Sequence, residues 1–464
     1  MRQIENAFGL QFTAAEPEHV AAFDDIVRAF LGFRPDIGDK VKALLAVAPE
    51  MPMAIAARGY FAKMVGTSET GPVAHAASER VAAMAKAGRL NPREIAHARA
   101  LALWCAGDME GATAVWEAIV AETPQDALAL RLAHFTHFYS GDGRRIRDGV
   151  ARALPAYGPE HPLYGFVQGM YAFGLEESGD YARAERHGKI AVGRNPADAW
   201  SVHAVAHAFE MTGRPEEGLA FAASVEPHWS TVNNFRNHLH WHRGLYLLER
   251  GRTDEVLALY DSDFGRDVDS GFYLDMLNAA SMLWRLELHG TDVGDRWQAL
   301  ADVAKKRMAD EELIFVSLHY MMALVSAGGD ADIDGLLAHL EAWAAKPTTQ
   351  GQVVADTGLA LARAFRDMRR GRHAEAFRAI EPIRYDIDPV GGSHAQRDLF
   401  HMMLIDAAQK SGADAEALSL LAERVAMKPS SPWGWQRYAQ SLEATGAGEA
   451  AREAGLRADR LLAH

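Results

Sequence analysis

The chain has 464 residues, with 48 Lys and Arg against 62 Asp and Glu, which gives a formal net charge of −14. Single cores stop growing at about 250 to 300 residues, so this length predicts either several domains or a repeat array. Because no basic block interrupts the acidic balance, we expect neither nucleic acid nor anionic membrane as a partner. The single cysteine, Cys105, excludes an internal disulfide and cysteine-based metal frameworks.

Residues 1–90 predict an N-terminal helical cap. The helix pair is AAFDDIVRAF and DKVKALLAVA, and the turn that follows is PEMPM. The N-terminus has no apolar segment behind a basic start, and no uncharged apolar run is long enough to span a membrane. This pattern predicts a cytoplasmic protein.

Residues 91–254 carry regular repeats marked by glycine turns. The first five turn glycines are spaced 34, 38, 34 and 38 residues apart, and the last two in the chain are 34 apart. That is the tetratricopeptide period, stretched at times by about one helical turn. The turn glycines are Gly107, Gly141, Gly179, Gly213, Gly251, Gly371, Gly412 and Gly446.

Small residues repeat in the same register. A small residue occurs seven positions before most turns, as at Ala100 and Ala172, and an alanine five positions after, as at Ala112 and Ala184. These are the close-packing positions of tetratricopeptide helices. The sequence therefore predicts an all-α, right-handed α-solenoid of tetratricopeptide-like helix pairs with no significant β-sheet.

The repeat signal weakens and then returns in the second half of the chain. Residues 255–370 predict divergent helix pairs, with an ambiguous turn at Gly328–Gly329, and residues 371–464 predict C-terminal repeats of one continuous superhelix. Trp433, Trp435 and Tyr438 lie near the C-terminus. They fit either a self-association surface of a homo-oligomer or the core of the last repeat.

The repeat register places a group of histidines on the inner face of the solenoid. The first helix of each pair lines the concave side, and one inward stripe carries Trp200, His203, His207 and Glu210. The remaining inward candidates are His238, Trp241 and His242 from the next repeat, together with His97, Glu176 and His319.

Two pairs of these histidines have metal-ligand spacing. His203 with His207, and His238 with His242, stand at i and i+4, so each pair can reach one point above its helix. Four such imidazoles would suit Zn²⁺ or Fe²⁺, with Glu210 as a ligand or base for hydrolytic chemistry. Without metal, the same histidines form an acid–base set. The alternative to any functional role is that they are only a polar lining of the solenoid.

Weaker candidates come from two other segments. His394, Gln396, Arg397, Asp398 and His401 could add polar groups from the far side of the superhelix, although a capped helix start explains that segment as well. The divergent region, residues 255–370, contributes the weak candidates Tyr273, Asp275, Asn278 and Arg285. No phosphate-binding loop or dinucleotide fingerprint occurs, so no nucleotide cofactor is predicted.

Several stretches resemble the tetratricopeptide repeat protein 38 family over most of the chain. The resemblance rests on NPREIAHARALALWCAGD, WSVHAVAHAFEMTGRPEEG, NHLHWHRGLYLLERG, LWRLELHGTDVGDRW and GGSHAQRDLF. It implies an α-solenoid and a cytosolic protein, and it brings no assigned reaction or site.

Two functional hypotheses follow from the inward residues. In the first, the solenoid encloses a His- and Trp-lined pocket for a small molecule or peptide, with hydrolytic or metal-assisted chemistry left open. In the second, it is a non-catalytic scaffold for protein partners, the usual role of such repeats. A cavity with buried imidazoles favours the first hypothesis, and an open, wet groove favours the second.

Overall fold

The glycine turns of the sequence end one helix and begin the next. In the computed structural model, which describes residues 1–463, all eight turn glycines have positive φ. This left-handed conformation closes a helix at little steric cost only for glycine. Where aspartate follows, it caps the next helix: the N–H of Gly111 donates to Asp108 Oδ1 at 2.8 Å, and the N–H of Arg145 donates to Asp142 Oδ1 at 3.0 Å.

The elements run in chain order as a short hairpin followed by helices. The hairpin and the first helices are β1 (Arg2–Glu5), β2 (Gln11–Ala14), α1 (Pro17–Leu31), α2 (Ile37–Val47), α3 (Pro52–Val65), α4 (Gly71–Lys86), α5 (Pro92–Cys105), α6 (Met109–Glu122), α7 (Ala127–Tyr139) and α8 (Gly143–Ala153). The central helices are α9 (Tyr164–Glu177), α10 (Tyr181–Arg194), α11 (Ala199–Met211), α12 (Pro215–Val225), α13 (Phe235–Glu249), α14 (Thr253–Leu259), α15 (Tyr273–Leu288) and α16 (Trp297–Arg307). The remaining helices are α17 (Ile314–Ala327), α18 (Asp330–Ala344), α19 (Thr349–Val353), α20 (Leu359–Arg369), α21 (His373–Ile380), α22 (His394–Ser411), α23 (Asp414–Met427), α24 (Pro432–Ala444) and α25 (Gly448–Ala463).

The helices form two layers, as the all-α solenoid prediction requires. From α1 to α14 every helix packs against the next one, and α9, α11, α13, α15 and α17 also pack against each other in succession. These five helices form the inner layer of that part of the solenoid. The alanines predicted to mark close helix crossings, including Ala100, Ala112, Ala172 and Ala184, are fully buried.

The divergent region keeps the helical architecture with different punctuation. The positive-φ glycine after α15 is Gly290, whereas Gly328 and Gly329 have φ of −87° and −91° and extended backbone. A π-helical turn (Tyr260–Phe264) follows α14, and a second one (Val354–Gly358) joins α19 to α20. These irregular turns explain why the 34-residue spacing is lost there.

The short hairpin adds the only sheet within residues 1–463. Strands β1 and β2 pair antiparallel, with Ile4 opposite Phe12. The N–H of Thr13 donates to Glu94 Oε1 at 2.7 Å, which ties the hairpin to the first turn of α5.

Successive turns of the superhelix pack directly on each other. The N–H of Thr349 donates to the carbonyl of Gly107 at 3.0 Å, and Arg250 Nη1 donates to the carbonyl of Leu461 at 2.8 Å. A Cβ at Gly141 would overlap the carbonyl oxygen of Asp388, so this glycine serves close approach as well as its turn. These contacts join segments that are more than 200 positions apart in the chain.

The sequence left Trp433 open as either a self-association residue or a core residue, and it predicted no membrane span. Trp433 is buried and its Nε1 donates to the carbonyl of Leu288 at 3.2 Å, so it belongs to the core of the C-terminal repeats. Within residues 1–463, no helix is both long and apolar enough to cross a lipid bilayer.

Candidate functional site: a buried histidine cluster beside an aromatic cavity

The inner helices α11 and α13 bring four histidines together. His203 and His207 project from α11, and His238 and His242 project from α13, each pair one helical turn apart. All four are at most 2% exposed. We call these four residues the histidine cluster.

The ring nitrogens of the histidine cluster converge on one point. Nε2 of His207 lies 2.9 Å from Nε2 of His203, and Nε2 of His238 lies 3.0 Å from that same atom. Each of the four residues offers a nitrogen within 4.8 Å of those of the others. The structure therefore brings together the two i, i+4 pairs, which the sequence places only on one face of each helix.

Polar groups from three other positions face the outer nitrogens of the cluster. Nδ1 of His238 lies 2.7 Å from Asn278 Oδ1 on α15. Nδ1 of His242 lies 3.3 Å from Glu210 Oε2, and Nδ1 of His207 lies 3.6 Å from Glu176 Oε2 on α9. Acceptors in this position favour a proton on Nδ1 and leave the Nε2 lone pair facing the centre.

A second group of charged residues borders the cluster from α22. His394 Nε2 lies 2.6 Å from Glu176 Oε1, and the carboxylate of Glu177 is adjacent. Burial opposes the charged imidazole, but the carboxylates of Glu176 and Glu177 outweigh it and raise the pKa of His394 to about 9. Ser393 caps α22, so this segment is both a capped helix start and a contributor of polar groups.

Burial sets the protonation state of the cluster itself. Removal from water, and then repulsion from neighbouring imidazoles, lowers the pKa of His203, His207 and His238 well below the ordinary value. These rings are therefore neutral near pH 7 and carry a free lone pair.

An aromatic cavity of about 240 Å³ adjoins the cluster. His203 and His238 form part of its wall. Much of the remaining wall is aromatic and includes Phe30, Phe61, Trp200, Phe235 and Phe315. At its rim Val65 is 44% exposed, so the cavity lies close to the surface.

Phe33 in the cavity wall has a strained backbone. It is the only non-glycine residue with positive φ among residues 1–463, at 51°. Its ring stacks on Phe235 with a centroid distance of 4.3 Å, and its carbonyl accepts from the N–H of Asn233 at 2.8 Å. Such strain persists only where surrounding contacts enforce it, and it is frequent at binding sites.

The structure places Trp200 and Trp241 differently. Trp200 lines the aromatic cavity and donates from Nε1 to His134 Nε2 at 3.1 Å. Trp241 lies behind the cluster, stacked on His238 at 5.1 Å, and donates to Ser281 Oγ at 3.0 Å.

His97 and His319 are buried but are not brought to the cluster. His97 Nε2 lies 3.0 Å from Asp126 Oδ2, and its Nδ1 lies 3.2 Å from the Tyr60 hydroxyl. His319 Nδ1 lies 2.7 Å from the carbonyl of Phe315. The repeat register oriented both residues inward, but His97 is held by Tyr60 of α3 and by Asp126, which caps α7, and His319 is held by a carbonyl of its own helix, α17.

Glu210 lies on the far side of the cluster from the aromatic cavity. It borders a second, polar cavity of about 490 Å³ that also contacts Glu249 and Lys428. Burial alone would raise the pKa of Glu210, but a hydrogen bond from His242 and the charge of Lys428 lower it. The carboxylate is thus positioned to orient His242, and it does not line the aromatic cavity.

Sequence reasoning missed most of the cavity wall. Phe30, Phe33 and Phe61 come from the N-terminal helices, and Phe315, Gly391 and Gly392 come from the second half of the chain. Their spacing carries no signal, because apolar residues at helical period normally form core. Of the weak candidates in residues 255–370, Tyr273 lines the cavity and Asn278 contacts His238. Asp275 instead accepts from Asn234 and Asn237, and Arg285 donates to the carbonyl of Ala395.

No protein-family model matches this chain. Among solved structures it is similar to a human IFIT1 dimer with m7Gppp-AAAA, at 14% identity and a TM-score of 0.39, covering 96% of this chain and 90% of that one. It is also similar to Naa15/Naa10 bound to HypK-THB, at 13% identity and a TM-score of 0.24, covering 96% of this chain and 63% of that one.

Proposed function

We propose that this protein binds a small, largely apolar molecule in the aromatic cavity and presents the imidazoles of His203 and His238 to a polar group of that molecule. The observation that carries the proposal is the shared wall: aromatic side chains and two members of the histidine cluster border the same cavity of about 240 Å³. Apolar cavities with a few convergent polar groups are the usual form of small-molecule sites.

The size and composition of the cavity favour a small molecule over a peptide. The wall is dominated by Phe, Tyr and Trp side chains, which bind flat apolar groups well. Polar atoms are few and include the imidazoles and the amide of Gln396. A ligand with an aromatic or branched apolar body and one oxygen or nitrogen substituent matches this arrangement.

Burial of the inner face supports a pocket over an open protein-binding groove. The four clustered histidines and the flanking Trp200 and Trp241 are all at most 3% exposed. A groove that docks an extended partner needs its inward side chains accessible to that partner. Binding of a protein partner elsewhere on the solenoid remains a prediction that rests only on the usual role of such repeats.

A fluorescent apolar probe tests the proposal. N-phenyl-1-naphthylamine should bind with a stoichiometry of one and brighten. Ala29 lines the cavity from α1, so Ala29→Phe should fill the space and weaken binding at least tenfold. Ala22→Phe, on the exposed side of the same helix, is the matched control and should bind normally. Equal binding by both variants would show that the probe binds outside the cavity.

A further inference from the structure

The histidine cluster contains more imidazole nitrogens than its own hydrogen bonds can use. Nε2 of His203 faces two other Nε2 atoms at 2.9 and 3.0 Å, yet it carries either one proton or one lone pair. Nδ1 of His203, Nδ1 of His207 and both ring nitrogens of His242 are buried with no hydrogen-bond partner anywhere in residues 1–463. Buried polar atoms without partners are costly and commonly mark a ligand.

The outer contacts of the cluster point the lone pairs inward. Asn278 Oδ1 lies 2.7 Å from Nδ1 of His238. The carboxylates of Glu210 and Glu176 stand 3.3 and 3.6 Å from Nδ1 of His242 and of His207, without a hydrogen bond. Protons on these three Nδ1 atoms leave three Nε2 lone pairs directed at one point, where they repel each other. A cation at that point converts the repulsion into coordination bonds.

We propose that His203, His207, His238 and His242 bind one divalent transition-metal ion through their converging ring nitrogens. Imidazole ligands suit zinc, iron, copper and nickel, and the four rings converge without a thiolate. A neighbouring set of possible ligands, Glu176, Glu177 and His394, shares His207 with the cluster. The inference deepens the proposed function, because His203 and His238 would place the ion at the wall of the ligand cavity.

The spacing of the cluster fits such an ion. Metal–nitrogen bonds of about 2.0 to 2.1 Å in a tetrahedron separate the nitrogens by roughly 3.3 Å. Two of the observed separations are 2.9 and 3.0 Å and all four ligand nitrogens lie within 4.8 Å of one another, so ring rotations would bring them to that value. The carboxylates of Glu176 and Glu210 lie behind two ligands and offset part of the charge of the ion.

Elemental analysis of untagged protein tests the site directly. We expect about one equivalent of a transition metal in the full-length protein and at least a tenfold loss of bound metal in His207→Ala. His319→Ala is the matched control, since His319 is equally buried in an inner helix but outside the cluster, and it should keep its metal. Equal metal content in His207→Ala and the wild type would overturn the proposal.

Cobalt substitution covers the case in which a variant folds poorly. Chelated wild-type protein titrated with Co²⁺ should develop intense visible absorption typical of tetrahedral nitrogen coordination, saturating at one equivalent. No visible band would overturn the proposal even if the variants were unstable.

The naphthylamine probe separates the metal inference from the proposed function. Probe binding without any bound metal would retain the cavity and refute the metal site. Bound metal with no probe binding would retain the metal site and refute the apolar ligand.

Discussion

His97 and the histidine cluster, both buried in this solenoid, differ in how their ring nitrogens are used. His97, between α5 and α7, contacts the Tyr60 hydroxyl on one side and the Asp126 carboxylate on the other, and Arg93 completes the ion pair. The histidine cluster on α11 and α13 instead points nitrogens at each other and leaves four ring nitrogens without hydrogen-bond partners among the described residues: Nδ1 of His203, Nδ1 of His207 and both nitrogens of His242. Burial alone therefore does not identify a functional histidine. The balance of donors and acceptors around it does.

Backbone strain also distinguishes the surroundings of the histidine cluster from those of His97. The only non-glycine residue with positive φ within residues 1–463 is Phe33, in the wall of the cavity that His203 and His238 share. The His97 network has no such feature among these residues and caps a regular helix through Asp126, which accepts from the N–H of Ala129 at 2.9 Å. Unpartnered imidazole nitrogens and backbone strain both occur beside the cavity, and in the described part of the chain neither occurs at His97.

Removal of the Asp126 carboxylate should have the largest effect on stability. Asp126→Ala leaves Arg93 and His97 without their buried anion and removes a helix cap, which should cost about 3 to 5 kcal/mol of unfolding free energy. Metal and probe binding should be unchanged in the folded fraction. Urea denaturation measures the loss, and Asp180→Ala, a half-exposed cap, should lose only about 1 kcal/mol. Similar losses in both variants would contradict a structural role specific to the His97 network.

Metal removal should have the next largest effect on stability, and this effect should require the histidine cluster. An ion at 100 times its dissociation constant stabilises the fold by about 2.7 kcal/mol. A chelator should therefore lower the melting temperature of the wild type by several degrees and leave that of His207→Ala unchanged. Calorimetry with and without chelator checks this, and an equal shift in both proteins would mean that the chelator acts elsewhere.

The pH dependence of stability should also distinguish the two regions. Burial alone would raise the pKa of Asp126, but His97 and Arg93 outweigh it and hold that pKa well below its usual range. A depressed carboxyl pKa stabilises the fold above the unfolded value near 4, and this contribution is lost as the pH falls below about 5. The wild type should lose up to about 1.4 kcal/mol per pH unit more than Asp126→Ala in acid. Parallel pH profiles would refute the assignment.

The smallest expected effect concerns strain at Phe33. Because Phe33 has a φ of 51°, Phe33→Gly relieves the backbone that Phe33→Ala retains. The glycine variant should therefore be more stable than the alanine variant by about 1 kcal/mol, although both lose the stacking on Phe235 and bind the probe more weakly. Denaturation curves of the two variants decide this. An alanine variant as stable as the glycine variant would mean that the loop relaxes without cost.

The sequence predicted much of the fold and half of the site. The 34-residue turns and the buried alanines are local patterns, and the structure confirms the helical solenoid that they predict. The i, i+4 spacing likewise placed each histidine pair on one face of its helix, because helix geometry over four residues does not depend on the rest of the chain.

Only the tertiary structure decided what those pairs meet. The separation of α11 and α13, the arrival of Asn278 and Glu176 behind the rings, and the approach of His394 depend on how inner helices cross. The aromatic cavity depends on still more distant packing, because Phe33 and Phe315 line the same cavity although they lie far apart in the sequence. Periodicity determines which face of a helix a residue occupies. The side chains that arrive opposite that face are set by the packing of segments hundreds of residues apart, and no local spacing records it.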